Sequence, residues 1–387
     1  MVVANTFAAD IRVRREARSL AGHGFEVNVL CWDRQGQRPK TESIDQCLVR
    51  NLRFGKTTPL ASSRVYYLVT DIVFQAIFFL WIVNQIRRVR KLVIHSHDFN
   101  TLPACVAVRV LFKDRVRLVY DCHELTPGVY QEWYGSSVSR IVTRLERIAL
   151  SVADAIIAAN DAILRYLRRN SPVRAAAIYS CPVITEVPKI QSVDAKKKLG
   201  LSGFFVVLFS GWVRQDYDFD MMWDTARYLV RNNVLDVKFV FIGPTETMKP
   251  LIKAAADERL QDLFDFRGWV SNEELLTYYV ASDLCFAVTR DLGPNTRVLT
   301  PVKLFESMAC RVPVAVRDET LASKIVRRWH CGVVINARQS TFSMELRRLK
   351  DNPEELHALR VAGSNAFRVE YNWDRMEEKL LQLYAKL

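Results

Sequence analysis

The sequence predicts an α/β chain of two Rossmann-like domains, each a parallel sheet flanked by helices. Three observations lead there. Short apolar runs alternate with helix-length segments through both halves. The chain of 387 residues is long enough for two hydrophobic cores. Residues 171–197 are rich in proline and serine and break the periodicity, which marks a linker. The expected division is residues 1–180 as the first domain, completed by a terminal helix over 370–387, and residues 190–369 as the second.

In chain order, residues 1–4 read as a first strand, 5–9 as a loop without glycine and 10–21 as a helix. Arg12, Arg14 and Arg15 lie on that helix. A solvated face is their default, and acidic headgroups or a substrate phosphate are the alternative. After a strand over 25–31 comes the most hydrophobic segment, 65–86, with Asp71 its only charge and Arg87, Arg88, Arg90 and Lys91 behind it. Its length matches a bilayer. The strands on either side (25–31 and 91–95) belong in one sheet, however, and a single crossing would separate them. A buried crossover helix is expected, with one face resting at a membrane interface as a further option. The strand over 91–95 runs into His95-Ser96-His97-Asp98, at the carboxyl edge where open α/β sheets take ligands. Two histidines two residues apart with no third ligand make a poor metal site, so no metal is expected. Residues 117–120 form the next strand, followed by Asp121, Cys122, His123 and Glu124. Then come an aromatic loop over 129–134, a helix over 139–152 and the last buried strand of the domain over 153–160.

The second domain opens with a strand over 204–210, closed by Gly211, with Arg214 the nearby cation. Asp216, Asp218 and Asp220 alternate in the following loop, one expected to cap the next helix and another to be solvated. Strands follow over 237–242 and 284–288, with the segment 264–270 between them, and then the stretch the domain is organised around, DLGPNTRVLTPVKLFESMACRVPVAVRD over 291–318. Thr300-Pro301 is a helix start, with the hydroxyl as cap and the proline in first position. Leu304, Phe305, Met308 and Ala309 form the apolar side. A helix N-terminus with Lys303 in its first turn can hold an anion such as diphosphate, and Glu306, one turn on, can accept hydroxyl hydrogens. A strand broken by Pro313 covers 312–316, and a terminal helix covers 365–387.

These residues carry a resemblance. P-x-K-L-F-E-S-M-A-x-x-x-P-V from Pro301 resembles the nucleotide-sugar loop of retaining glycosyltransferases of the GT-B fold, in family four. D-x-R-V-x-R-E-A-x-x-L-A-x-x-G from Asp10 is similar to that family's first helix. H-x-H-D at His95, Y-D-x-H-E-L at Tyr120, E-R-x-x-x-x-x-A-D-A-I-I at Glu146, FDFRGWV at Phe264 and N-W at Asn372 extend the likeness over nearly the whole chain. The resemblance implies a GT-B protein: an acceptor domain, a donor domain, a cleft between them and a C-terminal helix crossing back to the first. It implies that His97 reaches the donor sugar and Glu306 holds the ribose. Gly211, Arg214, Thr300 and Lys303 would meet diphosphate, Gly268, Trp269 and Val270 the base, and Asn295 the sugar side. Asp121 and Glu124 would stand at the acceptor mouth, either orienting a hydroxyl or positioning the aromatic loop of Tyr130, Trp133 and Tyr134. The family departs here at four places. Val298 stands where a first loop acid is usual, Tyr217 and Asp218 where basic residues grip diphosphate, and Arg311 where a glycine follows the helix.

Bulk properties agree with such a protein. The net charge of +13 gives a basic surface. No nucleic-acid-binding motif accompanies it, so anionic membrane or phosphate-bearing substrates fit better. Eight scattered cysteines without a C-x-x-C pair indicate neither zinc nor disulfides and fit a reducing compartment. With no signal peptide at its start, the chain is expected in the cytoplasm, with peripheral contact at the inner face of the membrane as the further expectation. The expected activity is transfer of a sugar from a nucleoside diphosphate donor to a hydroxyl of a glycan or lipid-linked acceptor, with no cofactor. Two alternatives stand beside it: a sugar-nucleotide epimerase, and a nucleotide-sugar-binding protein with impaired catalysis.

Overall fold

A computed structural model of the chain describes residues 1–34, 36–53, 64–336 and 341–387; in the helix that begins at Arg64, side chains are described from Ile72 onward. The chain divides into two units, Met1–Ser180 with Met376–Leu387, and Cys181–Arg375.

The first unit runs β1 (Val2–Val3), α1 (Ile11–Gly22), β2 (Asn28–Trp32), β3 (Thr41–Ile44), β4 (Cys47–Leu52), α2 (Arg64–Ile86) and β5 (Leu92–His97). It continues α3 (Leu102–Leu111), β6 (Val116–Cys122), α4 (Thr126–Tyr134), α5 (Ser136–Val152), β7 (Ala155–Ala158), α6 (Asp161–Arg168) and β8 (Arg174–Ala177). The described sheet has the order β3-β4-β2-β1-β5-β6-β7-β8, parallel except for the β3–β4 hairpin. Asp45 and Gln46 turn that hairpin with φ of 51° and 65°, the two positive values that suit the twist of a two-residue connection. Helix α1 begins where the Asp10 carboxylate accepts the Val13 N–H at 3.1 Å, an N-cap bond. Helix α2 connects β4 to β5. Phe74, Phe78, Ile82 and Ile86 recur every fourth residue and are buried, so the helix is seated by one stripe. Asp71 lies outside the described side chains. Among the described residues no helix is long and apolar enough to cross a membrane.

Three local expectations change. Strand β7 is not the last of the sheet, because β8 pairs beside it within the stretch read as linker. An alanine-rich strand of four residues carries too little periodicity to be seen. Helix α7 (Ser192–Leu199) lies in the same stretch. The aromatic loop over 129–134 is instead part of α4, whose Pro127 sits in the first turn, where no N–H is required.

The second unit continues β9 (Phe205–Ser210), α8 (Phe219–Arg231), β10 (Val237–Ile242), α9 (Thr245–Asp257), β11 (Phe264–Phe266), α10 (Asn272–Val280) and β12 (Leu284–Ala287). Then come α11 (Pro294–Val298), α12 (Val302–Ala309), β13 (Val314–Arg317), α13 (Leu321–Trp329), β14 (Gly332–Ile335), α14 (Phe342–Asp351) and α15 (Pro353–Val369). The sheet is parallel, in the order β11-β10-β9-β12-β13-β14, around a core rich in phenylalanine: Phe209, Phe239, Phe241, Phe264 and Phe286. The expected terminal helix is broken into α15 and α16 (Trp373–Tyr384). Asn372 accepts the Arg375 N–H at 3.1 Å and so starts a second helix. From Met376 onward α16 belongs to the first unit, with Met376, Leu380, Leu383 and Tyr384 buried.

Candidate functional site

In the second unit the chain turns through glycine after each of three adjacent strands: Gly211 after β9, Gly243 after β10 and Gly268 after β11. Their backbones pack directly. Gly211 N–H donates to the Ile242 carbonyl at 2.8 Å, and Gly243 N–H to the Gly268 carbonyl at 2.9 Å. A Cβ on Gly243 would stand 2.1 Å from the Gly211 oxygen, so no other residue fits. A Cβ on Gly211 would meet Lys303 Nζ at 3.9 Å. The lysine amine therefore stands beside bare backbone at the carboxyl edge of the sheet.

Lys303 is buried, its amine 3.7 Å from the Tyr217 ring centroid and 4.0 Å from that of Phe209. Burial lowers its pKa to about 7, since removal from water penalises the cation. Glu306, one turn further along α12, is also buried and accepts the Tyr279 hydroxyl at 2.8 Å. Tyr279 gives its one hydrogen there, so at 2.7 Å it accepts from Ser210 at the end of β9. The start of α12 differs from expectation. Pro301 is the N-cap, with ψ of 138° outside the helix, and its ring makes no cap bond. Thr300 stands one residue before the N-cap position rather than at it. Beyond the helix, Arg311 has φ of 60° in the position that favours glycine. Its N–H donates to the Met308 carbonyl at 3.2 Å and that of Val312 to the Ser307 carbonyl at 2.8 Å, the paired bonds of a Schellman ending.

The other predicted positions spread around this centre. Arg214 is exposed and pairs with Asp216 at 3.3 Å. Trp269 is exposed and Val270 half-buried, beside Gly268 at φ of 72°. Asn295 is buried on α11, Val298 ends that helix, and Thr300 is half-buried. Asp218 occupies the N-cap position of α8 yet its side chain makes no cap bond there. Arg317 at 3.4 Å and Arg290 at 3.9 Å hold the carboxylate instead, and Arg290 reaches Asp220 at 2.6 Å. Each aspartate of the alternating loop thus faces an arginine. Arg290 and Arg317 were missed, because the sequence separates them from the loop by seventy residues or more.

In the first unit, β5 and β6 lie in parallel register with His97 opposite Asp121. The rings of His95 and His97 stack with centroids 4.3 Å apart. Asp121 is fully buried. It accepts two bonds from Arg12 at 2.7 and 3.2 Å and one from His123 at 2.8 Å, and lies 3.2 Å from His97 Nδ1. One expectation is corrected here. Arg12 is not on a solvated face: it is buried, held also by Glu16 at 3.2 Å and by the Ile178 carbonyl. Asp121 is engaged by these groups and buried, whereas Glu124, the residue after His123, is exposed.

Charge is distributed unevenly through this cluster. Burial drives the pKa of His97 well below the ordinary histidine value and also lowers that of His95. Burial acts on His123 in the same direction, but the carboxylates of Asp98 and Asp121 outweigh it and raise the imidazole to about 10. His97 is therefore neutral. Its Nδ1 faces both Asp121 at 3.2 Å and His123 Nε2 at 3.3 Å, while its Nε2 is buried with no hydrogen-bond partner among the described residues. His95 is tied to α16 through the Tyr384 hydroxyl at 2.8 Å. The third metal ligand that seemed missing is present: Glu16, His95, His97 and Asp121 bring ligand atoms within 4.8 Å of one another. Arg12 already lies against both carboxylates, so the cluster carries its own cation.

Residues 8–181 match the family model described as glycosyl transferase 4-like domain, and residues 192–366 match glycosyl transferases group 1. Among solved structures, sucrose-phosphate synthase from Thermosynechococcus elongatus superposes with a TM-score of 0.72 at 16% identity, covering 100% of this chain and 98% of that one. Anabaena HepE in complex with UDP gives 0.70 at 14% identity, covering 100% and 99%. The α,α-trehalose 6-phosphate synthase of Burkholderia multivorans gives 0.69 at 13%, covering 100% and 98%. At such identities these likenesses show the fold. No curated protein matches the sequence.

Proposed function

Since the chain is a GT-B glycosyltransferase, built from a glycosyl transferase 4-like domain and a glycosyl transferases group 1 domain, we propose the reaction it performs. It moves a sugar from a nucleoside diphosphate to a hydroxyl of a glycan or lipid-linked acceptor, retaining the anomeric configuration. One observation carries the donor half: the buried Lys303 amine beside the bare backbone of Gly211. A diphosphate arriving there draws a proton onto an amine poised near pH 7, and the new charge then stabilises the leaving group. The start of α12, with Pro301 as its N-cap, adds its partial positive charge. Glu306, fixed by Tyr279, takes the ribose hydroxyls. Gly268, Trp269 and Val270 take the base, Asn295 the sugar side, and Arg214 a phosphate oxygen.

In the first unit, His97 is the group assigned to the donor sugar, and Asp121 positions it. Glu124 is kept on the acceptor side. When Nδ1 donates to Asp121, the neutral ring can accept a hydroxyl hydrogen on Nε2, which has no hydrogen-bond partner among the described residues, without adding charge.

A second reading, a protein that binds nucleotide sugar without turnover, is favoured by one set of residues. The Tyr217 ring and the Asp218 carboxylate occupy positions where a cationic grip on diphosphate is usual, and Val298 replaces an acid. The test is a thermal-shift series with UDP, GDP, ADP and their sugar conjugates, with and without EDTA; UDP comes first because HepE was solved with it. Native-state binding raises the midpoint. One nucleotide is expected to do so, indifferent to EDTA and lost in Glu306→Ala. No shift with any nucleotide refutes the donor site. A shift without release of nucleoside diphosphate in the presence of acceptors selects the second reading.

A further inference from the structure

We propose that the outer face of α5, extended by α3 and α2, seats the first unit on an anionic membrane surface. As the place where a lipid-linked acceptor is met, it rests on the transferase reading above; as a surface, it rests on its own residues.

Val138, Ile141, Leu145 and Ile148 are spaced three, four and three residues apart, one stripe along α5. They are 37%, 58%, 50% and 60% exposed. A helix on a globular domain ordinarily turns such a stripe to the core. Helix α5 already has an inward one in Val142, Ala149 and Leu150. Its single acid, Glu146, is buried too, accepting hydrogen bonds from the Tyr120 and Tyr166 hydroxyls at 2.9 and 2.8 Å. The other exposed positions are Arg140, Arg144 and Arg147, with serines at the two ends. Among the described residues no carboxylate pairs with these three arginines. Solvent therefore meets an apolar stripe flanked by cations and no acid at all along a helix of 17 residues.

The neighbouring helices continue the pattern. Helix α3 packs against α5 and ends in exposed Val110 and Leu111. Helix α2 packs against α3 and exposes Ile72 and Leu80, opposite its buried stripe, before the exposed basic run from Arg87. Apolar side chains exposed in a row along one helix and on the helices packed beside it mark an interaction site. Charge decides the occupant. Two copies meeting through α5 would set arginine against arginine, whereas an anionic lipid surface receives both the apolar side chains and the cations.

The test is flotation of the full chain with vesicles of phosphatidylcholine alone and of phosphatidylcholine with an equal part of phosphatidylglycerol. Binding to the anionic vesicles only is expected, weakening as salt is raised. Replacing Arg140, Arg144 and Arg147 together by glutamine should lower partition on the order of a hundredfold. Ile141→Ser, Leu145→Ser and Ile148→Ser combined should abolish it. Both variants change exposed side chains, so an unchanged circular dichroism melt and nucleotide shift confirm the fold. Equal binding to both vesicles, no binding to either, or variants that float like the parent overturns the proposal. So does a dimer in sedimentation that the serine variant dissociates, which assigns the face to a second copy. Flotation with no nucleotide shift would sink the transferase reading and leave this surface standing; the reverse would sink only the surface.

Discussion

Lys303 shows how burial tunes a single side chain. Burial over two aromatic rings holds its pKa near 7, against about 10.4 for a free lysine. The unfolded chain keeps that proton up to about pH 10 while the folded chain loses it above 7, so the unfolded state binds more protons in this window. The penalty of burying a cation is thus full below pH 7 and is relieved as pH rises. Ligand binding has the opposite slope. A bound diphosphate favours the protonated amine, so nucleotide affinity should fall above pH 7, by up to about tenfold per unit. Isothermal titration at stepped pH measures it. Lys303→Arg, which stays charged, should flatten the slope, and a flat profile in the parent would rule the linkage out. His97 and Arg12 belong to this scale as well. One is a neutral ring beside carboxylates and the other a buried cation, and neither state follows from residue type.

At the scale of elements, α12 is open at one end and strained at the other. Its N-cap is Pro301, whose ring makes no cap bond, which suits an anion-receiving end. Its C-terminus turns on Arg311 at φ of 60°, where a side chain opposes the left-handed backbone. Arg311→Gly should stabilise the protein by about 1 kcal/mol, read as a higher denaturation midpoint with the nucleotide shift unchanged. No gain in midpoint would mean that the turn holds its shape without strain. Helix α4 and the break between α15 and α16 teach a related lesson. Local signals, Pro127 in the first turn and Asn372 as a cap, were in the sequence, but aromatic content and apolar continuity spoke louder there.

At the scale of the whole molecule, the last residues complete the first unit rather than the one they follow. Leu380 is fully buried there, and Tyr384 bonds His95 from a distance of 289 residues along the chain. Leu380→Ala should cost about 2–5 kcal/mol, while exposed Lys379→Ala should stay within about 0.5 kcal/mol. Chemical denaturation separates the two. Equal midpoints would show that this end of the chain contributes nothing to the fold.

Apolar strands, helix-length spacers and the stretch around Lys303 and Glu306 made two parallel-sheet domains and the GT-B fold legible in the sequence, because strand and helix periods are local properties. The site's chemistry was legible in part. Lys303, Glu306, Gly211 and His97 stood in recognisable patterns, and Arg311 stood where the resemblance places a glycine. Tertiary structure alone decided the rest. It buried Arg12 against Asp121, brought Arg290 and Arg317 to the aspartate loop, placed Tyr279 on Glu306 and turned the stripe of α5 outward. Spacing along a chain states which face of a helix is apolar; only packing states whether that face meets the core, a partner or the solvent.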